Sequence, residues 1–231
     1  MNTKFLKIAL GTALMSCALY NCGNTSEENQ AVTEENDQSK KEEEKFEIIE
    51  STEVYNANLI TEGNLTLVRL TDEWIPKILE NRPFLSMTDL DTLLESVENK
   101  EEVYKKLFVP MNLNTTAEED FKMIPGVGEK MAHEFEEYRP YKNMKQFRKE
   151  ISKYVDAEEI DRYENYVFVP VELNSASEEE ILALPGLGKK MAHEFEEYRP
   201  YKNMTQFRKE IGKYVDDKEL KRLERLVFIA K

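Results

Sequence analysis

Residues Met131 to Met144 recur unchanged as Met191 to Met204, sixty positions downstream. An unbroken duplicate of that length restricts the chain to small tandem units, because a copied segment brings a copied local structure and each copy must bury a core of its own. Aligning 111–170 with 171–230 leaves 37 identities, and the Pro-Gly turns, the Arg-Pro-Tyr steps and the Val-Phe ends all keep the spacing. A fainter copy comes first. Ile78 to Phe84 matches Phe135 to Tyr141 at an offset of 57, and Lys106-Leu107-Phe108-Val109-Pro110 matches the end of the following unit at 60. The chain therefore reads as three units, 53–110, 111–170 and 171–231, of which the first has diverged.

Within a unit, apolar residues recur at three-to-four spacing and no alternating stretch reaches strand length, so the expected fold is all-α with four short helices per unit. Thr115-x-x-Glu118 and Ser175-x-x-Glu178 read as capping boxes opening the first helix. A glycine turn ends it. The second helix carries Met131, Ala132, Phe135 and Tyr138 on one stripe and stops before Pro140, since the residue ahead of a proline is pushed out of the α region. Arg139-Pro140-Tyr141 is expected to finish that helix, with the arginine on its last carbonyls and the tyrosine packed. Asn143 or Asn203 can cap a third helix, and Asp156 or Asp216 a fourth that buries Ile160, Tyr163 and Val167 or their equivalents and runs into the Val-Phe end. Units this small bury limited surface, so packing between neighbours is expected to add stability.

Ahead of the units lies a different kind of sequence. Lys4 and Lys7 precede the apolar run Ile8 to Met15, which is a basic region followed by an apolar stretch too short to span a bilayer. The chain's two cysteines, Cys17 and Cys22, close this segment, so no disulfide framework is available to the units. Residues 1–22 resemble a bacterial lipoprotein signal peptide, in which Cys17 or Cys22 would become the lipidated residue. That resemblance implies a protein outside the cytoplasm, in the bacterial cell envelope, tied to a membrane by a lipid. Residues 23–52 are almost wholly polar and rich in Glu, an acidic, disordered tether in composition.

Each duplicated unit holds a turn of one form, Pro125-Gly126-Val127-Gly128 and Pro185-Gly186-Leu187-Gly188. Two glycines two apart permit positive-φ conformations, and the helix that follows can then present unpaired N–H groups to an anion such as phosphate. This turn, with Ala132 or Ala192 in the next helix, resembles the helix-hairpin-helix modules of the ComEA type. The resemblance covers 111–231 well and 56–110 weakly. It implies non-catalytic, sequence-nonspecific binding of double-stranded DNA through phosphates, carried by Gly126, Val127, Gly128 and Lys130, then Gly186, Leu187, Gly188, Lys189 and Lys190. The same fold also serves protein docking, as in the photosystem extrinsic protein PsbU, so an envelope protein is the alternative partner. Hairpin carbonyls could hold a monovalent cation, as in some family members; no other cofactor and no small-molecule substrate is implied. The second hairpin common in the family is missing at Ile151 to Val155, and the aligned turn of the first unit, Leu67 to Thr71, contains no glycine.

Charge cuts across this reading. The chain carries a net −14, yet 111–170 hold 9 basic and 13 acidic residues while 171–231 hold 12 of each. Between the copies Glu129 becomes Lys189, Glu158 becomes Lys218, Asp161 becomes Lys221 and Asn165 becomes Arg225, so the third unit has gained positive charge. Lys218, Lys221, Arg222 and Arg225 crowd its last helix. Opposing them, Glu134, Glu136 and Glu137, copied as Glu194, Glu196 and Glu197, are expected to repel a duplex along the second helix. His133 with these glutamates is an incomplete metal-ligand set. No catalytic constellation stands out: the units hold no thiol, no serine elbow and no phosphate loop, and a non-enzymatic protein is expected.

Overall fold

A computed structural model describes residues 53–230, and the leader and tether, with Cys17 and Cys22, lie outside the described residues. The regular structure of the described residues is helical apart from six two-residue strands. Strand β1 (Tyr55–Asn56) is followed by α1 (Glu62–Leu65), α2 (Trp74–Glu80), α3 (Met87–Leu93), α4 (Lys100–Tyr104) and β2 (Leu107–Phe108). The same order follows twice more. The second unit has β3 (Met111–Asn112), α5 (Glu118–Phe121), α6 (Glu129–Glu137), α7 (Met144–Ile151), α8 (Ala157–Tyr163) and β4 (Val167–Phe168). The third has β5 (Val171–Glu172), α9 (Glu178–Leu182), α10 (Lys189–Glu197), α11 (Met204–Ile211), α12 (Asp217–Glu224) and β6 (Val227–Phe228).

The first and last strands of each unit pair in parallel, with Tyr55 opposite Leu107, Met111 opposite Val167 and Val171 opposite Val227. Parallel pairing needs a long crossover, and the four helices are that crossover. The Val-Phe ends are therefore strands and not a prolongation of the fourth helix, as a β-branched residue beside an aromatic one favours.

Caps show where the sequence pattern was right and where it slipped. Asn143, Asn203, Asp156 and Asp216 each accept the backbone N–H three residues on, as their spacing predicts. The first helices begin later than expected. In the third unit the capping box is Ser177 with Glu180, not Ser175 with Glu178. In the second unit Ala117 stands at the position equivalent to Ser177, so α5 starts with no side-chain cap. Residues Thr115 and Thr116 are instead held in a turn whose amides donate to Asn112 O.

Core packing follows the expected stripes. Phe135 on α6 meets Phe121, Phe147 and Tyr163 edge-on at 5.3, 5.2 and 5.3 Å between ring centres, so one side chain joins all four helices of its unit. Burying such a ring contributes about 1.5–3 kcal/mol, with about 0.5–1.5 more for each well-oriented aromatic pair. In the third unit Ile181 and Leu223 stand where Phe121 and Tyr163 do, leaving Phe195 against Phe207 at 5.2 Å.

Arg139 does not cap the helix it ends. Its guanidinium donates to the carbonyls of Leu113 and Thr116, in the loop that opens the unit, and Arg82 and Arg199 make the equivalent bonds. Beside it, Asn114 donates to Tyr141 O at 2.9 Å and accepts from Tyr141 N at 2.7 Å, a reciprocal clamp repeated by Asn58 on Phe84 and Asn174 on Tyr201. The three Arg-Pro bonds are cis. These ties fix where the second helix stops, hence where the glycine turn at its other end can lie.

Contacts also run between units. Phe108 meets Tyr166 edge-on at 4.8 Å, Arg225 donates to Pro110 O at 2.7 Å, and Leu59 lies against Gly186.

Candidate nucleic-acid interface

The glycine turns sit between the first and second helices of the second and third units. Only the leading glycine of each takes positive φ, +80° at Gly126 and +72° at Gly186. Gly128 and Gly188 are extended, at φ −92° and −98°, and serve as N-caps of α6 and α10. The expectation that both glycines adopt positive φ is thus corrected. The second glycine matters for another reason: a Cβ on Gly128 or Gly188 would meet nothing within 4 Å, so the space in front of each helix start is open.

Where each amide goes decides what can face that space. The central apolar residue turns inward: Val127 and Leu187 are buried, and their amides donate to Ile124 O at 2.9 Å and Leu184 O at 3.2 Å. Val127 and Leu187 therefore have no main-chain donor left for a ligand, because a tight turn uses its own amide to close itself. The following amides are unused. Those of Gly128, Glu129, Lys130 and Met131, and of Gly188, Lys189, Lys190 and Met191, find no acceptor among the described residues. They are the orphan donors of a helix start, where partial positive charge favours an anion.

An arginine from the fourth helix holds each turn from behind. Arg162 and Arg222 donate through Nη1 to Pro125 O and Pro185 O, both at 2.7 Å, and pair with Glu159 and Glu219 at 2.6 and 2.7 Å. A monovalent cation at these turns would have to compete with a guanidinium for the proline carbonyl. The same packing explains the leading glycine, since a Cβ on Gly126 would stand 3.3 Å from Arg162 Nη2. Sequence reasoning missed this pair; the signal was Arg162 and Arg222 standing three residues after Glu159 and Glu219 in both copies.

Two of the four cations on the last helix are withdrawn from the surface around the turn. Arg222 is buried, and Arg225 is half-buried over the Phe168 ring, where burial and the nearby Arg222 charge push its guanidinium down to about 10. Lys189, Lys190, Lys218 and Lys221 remain exposed. Around the second unit's turn the exposed groups at three of the equivalent positions are Glu129, Glu158 and Asp161, and Glu101 of α4 joins them beside Pro125 to Gly128.

The expected acidic barrier on the second helix is smaller than its sequence suggests. Glu134 and Glu194 are buried, each with one carboxylate oxygen that has no hydrogen-bond partner among the described residues, and lie near Tyr154 and Tyr214, whose hydroxyls bond Tyr138 and Tyr198 at 2.7 and 2.8 Å. Glu136 and Glu196 pair with Arg139 and Arg199 at 3.1 and 3.3 Å. His133 is tied to Glu118 at 3.3 Å, and among the described residues no group of His, Cys, Asp or Glu is placed to hold a metal ion.

The turns at Ile151 to Val155 and Ile211 to Val215 offer little to an anion, because the amides of Lys153, Tyr154, Lys213 and Tyr214 are already bonded to Glu150, Ile151, Glu210 and Ile211 carbonyls. The first unit's turn is closed likewise, Val68 donating to Leu65 O and Leu70 to Val68 O, and Trp74 is buried as core.

Residues 167–227, from β4 to the start of β6, match the family model of the helix-hairpin-helix motif. Comparison with curated proteins and with solved structures gives no match. The motif is commonly a nucleic-acid-binding element, which fits a general DNA-binding reading of the third unit.

Proposed function

We propose that the chain is a non-catalytic, ComEA-like protein that holds double-stranded DNA by its phosphates without reading sequence, mainly through the third unit. In this reading it is tethered outside the cytoplasm, in the bacterial cell envelope, by a lipid on Cys17 or Cys22. The supporting observation is the run of unused amides at Gly188, Lys189 and Lys190, opening on free space beside the exposed Lys189 and Lys190, with Lys218 and Lys221 exposed on the fourth helix, the former 3.5 Å from Glu80 O. Exposed lysines supply long-range attraction, and the amides supply short hydrogen bonds once a phosphate arrives. The second unit, with Glu129, Glu158 and Asp161 at matching positions, contributes less.

A titration of the intact chain with duplex DNA at about 20 mM salt tests the reading, alongside a Lys189→Glu/Lys190→Glu variant. Affinity that falls steeply with salt and drops in the variant supports it. Absence of binding at low salt removes it.

A second reading rests on one observation. Leu59 of the first unit packs on Gly186, so the third hairpin already docks a protein side chain. On that reading the turns seat acidic side chains or a chain end of an envelope partner, and DNA would not bind at any ionic strength.

A further inference from the structure

Arg225 is the one of the four third-unit cation gains that the hairpin reading does not use. It replaces the Asn165 of the second unit and leaves its own unit to reach the junction of the other two. There it lines a cavity of about 360 Å³ together with Ser86 and Thr88 of the first unit and Asn112, Thr115 and Asp120 of the second. Its guanidinium makes one hydrogen bond, Nη2 to Pro110 O at 2.7 Å, and lies 5.4 Å from the Phe168 ring centre. Among the described residues no carboxylate lies within ion-pair distance of it, and its other N–H groups have no acceptor.

A guanidinium carries five N–H donors, and one taken from water without a counter-charge is costly. Asp89, whose charge reaches Arg225 without pairing with it, already accepts the amides of Leu85 and Ser86 with its carboxylate. The hydroxyls of Thr88 and Thr115 and the Nδ2 of Asn112 likewise have no partner among the described residues. Donors from all three units thus line one cavity beside a half-buried cation, with Thr88 and Thr115 at its exposed mouth. Asp120 is the single opposing charge on its wall, and it has no bonded partner either.

We propose that this cavity is a binding site for a small oxyanion, a phosphate monoester or a carboxylate, held by Arg225 with Thr88, Thr115 and Asn112. The site is separate from the glycine turns and does not depend on what they bind. Occupation would join the three units through one ligand.

The test is thermal unfolding of the intact chain with inorganic phosphate, and separately with acetate, against sodium chloride of matched ionic strength. Binding at about ten times Kd is expected to raise Tm by roughly 3–6 °C. Arg225→Asn, which installs the residue the second unit tolerates at the equivalent position, is expected to fold and to lose that rise. A rise with phosphate alone assigns the site to phosphates, and a rise with acetate alone to carboxylates. Asp120→Asn is expected to strengthen the response by removing the opposing charge. An equal rise in wild type and Arg225→Asn, or none beyond chloride in either anion, overturns the proposal. So does an Asp120→Asn chain that loses stability and gains no anion response, which would make Asp120 the internal counter-ion of Arg225. DNA titration of Arg225→Asn, expected to be unchanged, keeps this result distinct from the fate of the hairpin reading.

Discussion

Leu59 and Gly186 belong to the first and third units, yet a Cβ built on Gly186 would stand 2.0 Å from Leu59 Cδ1. The glycine-free turn of the first unit thus belongs to a unit that buttresses the back of the third unit's hairpin. Both glycines at this position also need positive φ, which costs an alanine about 1–3 kcal/mol wherever it is placed. Gly186→Ala should therefore destabilise more than Gly126→Ala, whose nearest neighbour is a flexible guanidinium at 3.3 Å. Adding Leu59→Ala to each should erase the difference in a urea-melt double-mutant cycle. Equal costs without Leu59→Ala would show that the contact carries no energy.

Arg222 is expected to matter more to stability than any exposed lysine around it. Its side chain is 2% exposed and joins Pro185 O to Glu219, whose own side chain is 35% exposed. Arg222→Met should cost about 2–4 kcal/mol, below the full penalty for splitting a buried pair because Glu219 regains some water. Lys221→Met should stay within about 0.5 kcal/mol. Chemical denaturation at pH 7 measures both.

His133 gives α5 and α6 a pH-dependent tie. The hydrogen bond and charge of Glu118 hold its imidazole above the ordinary 6.5. A group raised on folding adds stability that is complete below its unfolded pKa and lost as pH climbs through the folded one. The tie should then weaken from about pH 6.5 upward. NMR titration should place the His133 midpoint above 6.5, and Glu118→Gln should lower it. A midpoint unaffected by that substitution would remove the tie.

Glu129→Lys gives the second hairpin the lysine that the third carries at Lys189. If the amides of Gly128 to Lys130 are competent and only charge holds the second unit back, DNA affinity should rise. The plot of log affinity against log salt should also steepen by about 0.9 for each phosphate engaged. Anisotropy titrations at two or three ionic strengths read this. An unchanged slope would mean that one hairpin binds and the other serves only as packing.

Helix content and core were legible because apolar spacing and the Asn and Asp caps are local signals. Phe135, Ile160 and Tyr163 are buried where their stripes place them. What escaped was non-local. Two-residue strands at the unit ends are too short for any alternation to register, and their pairing joins residues 56 positions apart, such as Met111 and Val167. Arg139 was read as a cap on its own helix because sequence shows neighbours along the chain, while its acceptors are 26 and 23 residues back. At the candidate site, the glycines and lysines were visible. That Val127 gives its amide to Ile124, and that Glu134 faces inward, depends on turn closure and on tyrosines brought from another helix.

Because β3 and β4, like β5 and β6, lie side by side and point the same way, the chain leaves each unit at the spot where it entered and with the same heading. A further copy can be spliced between two existing ones without redirecting either. Gene duplication thus meets no geometric obstacle here, and once duplicated the units are free to differ in charge, as Lys189 against Glu129 records.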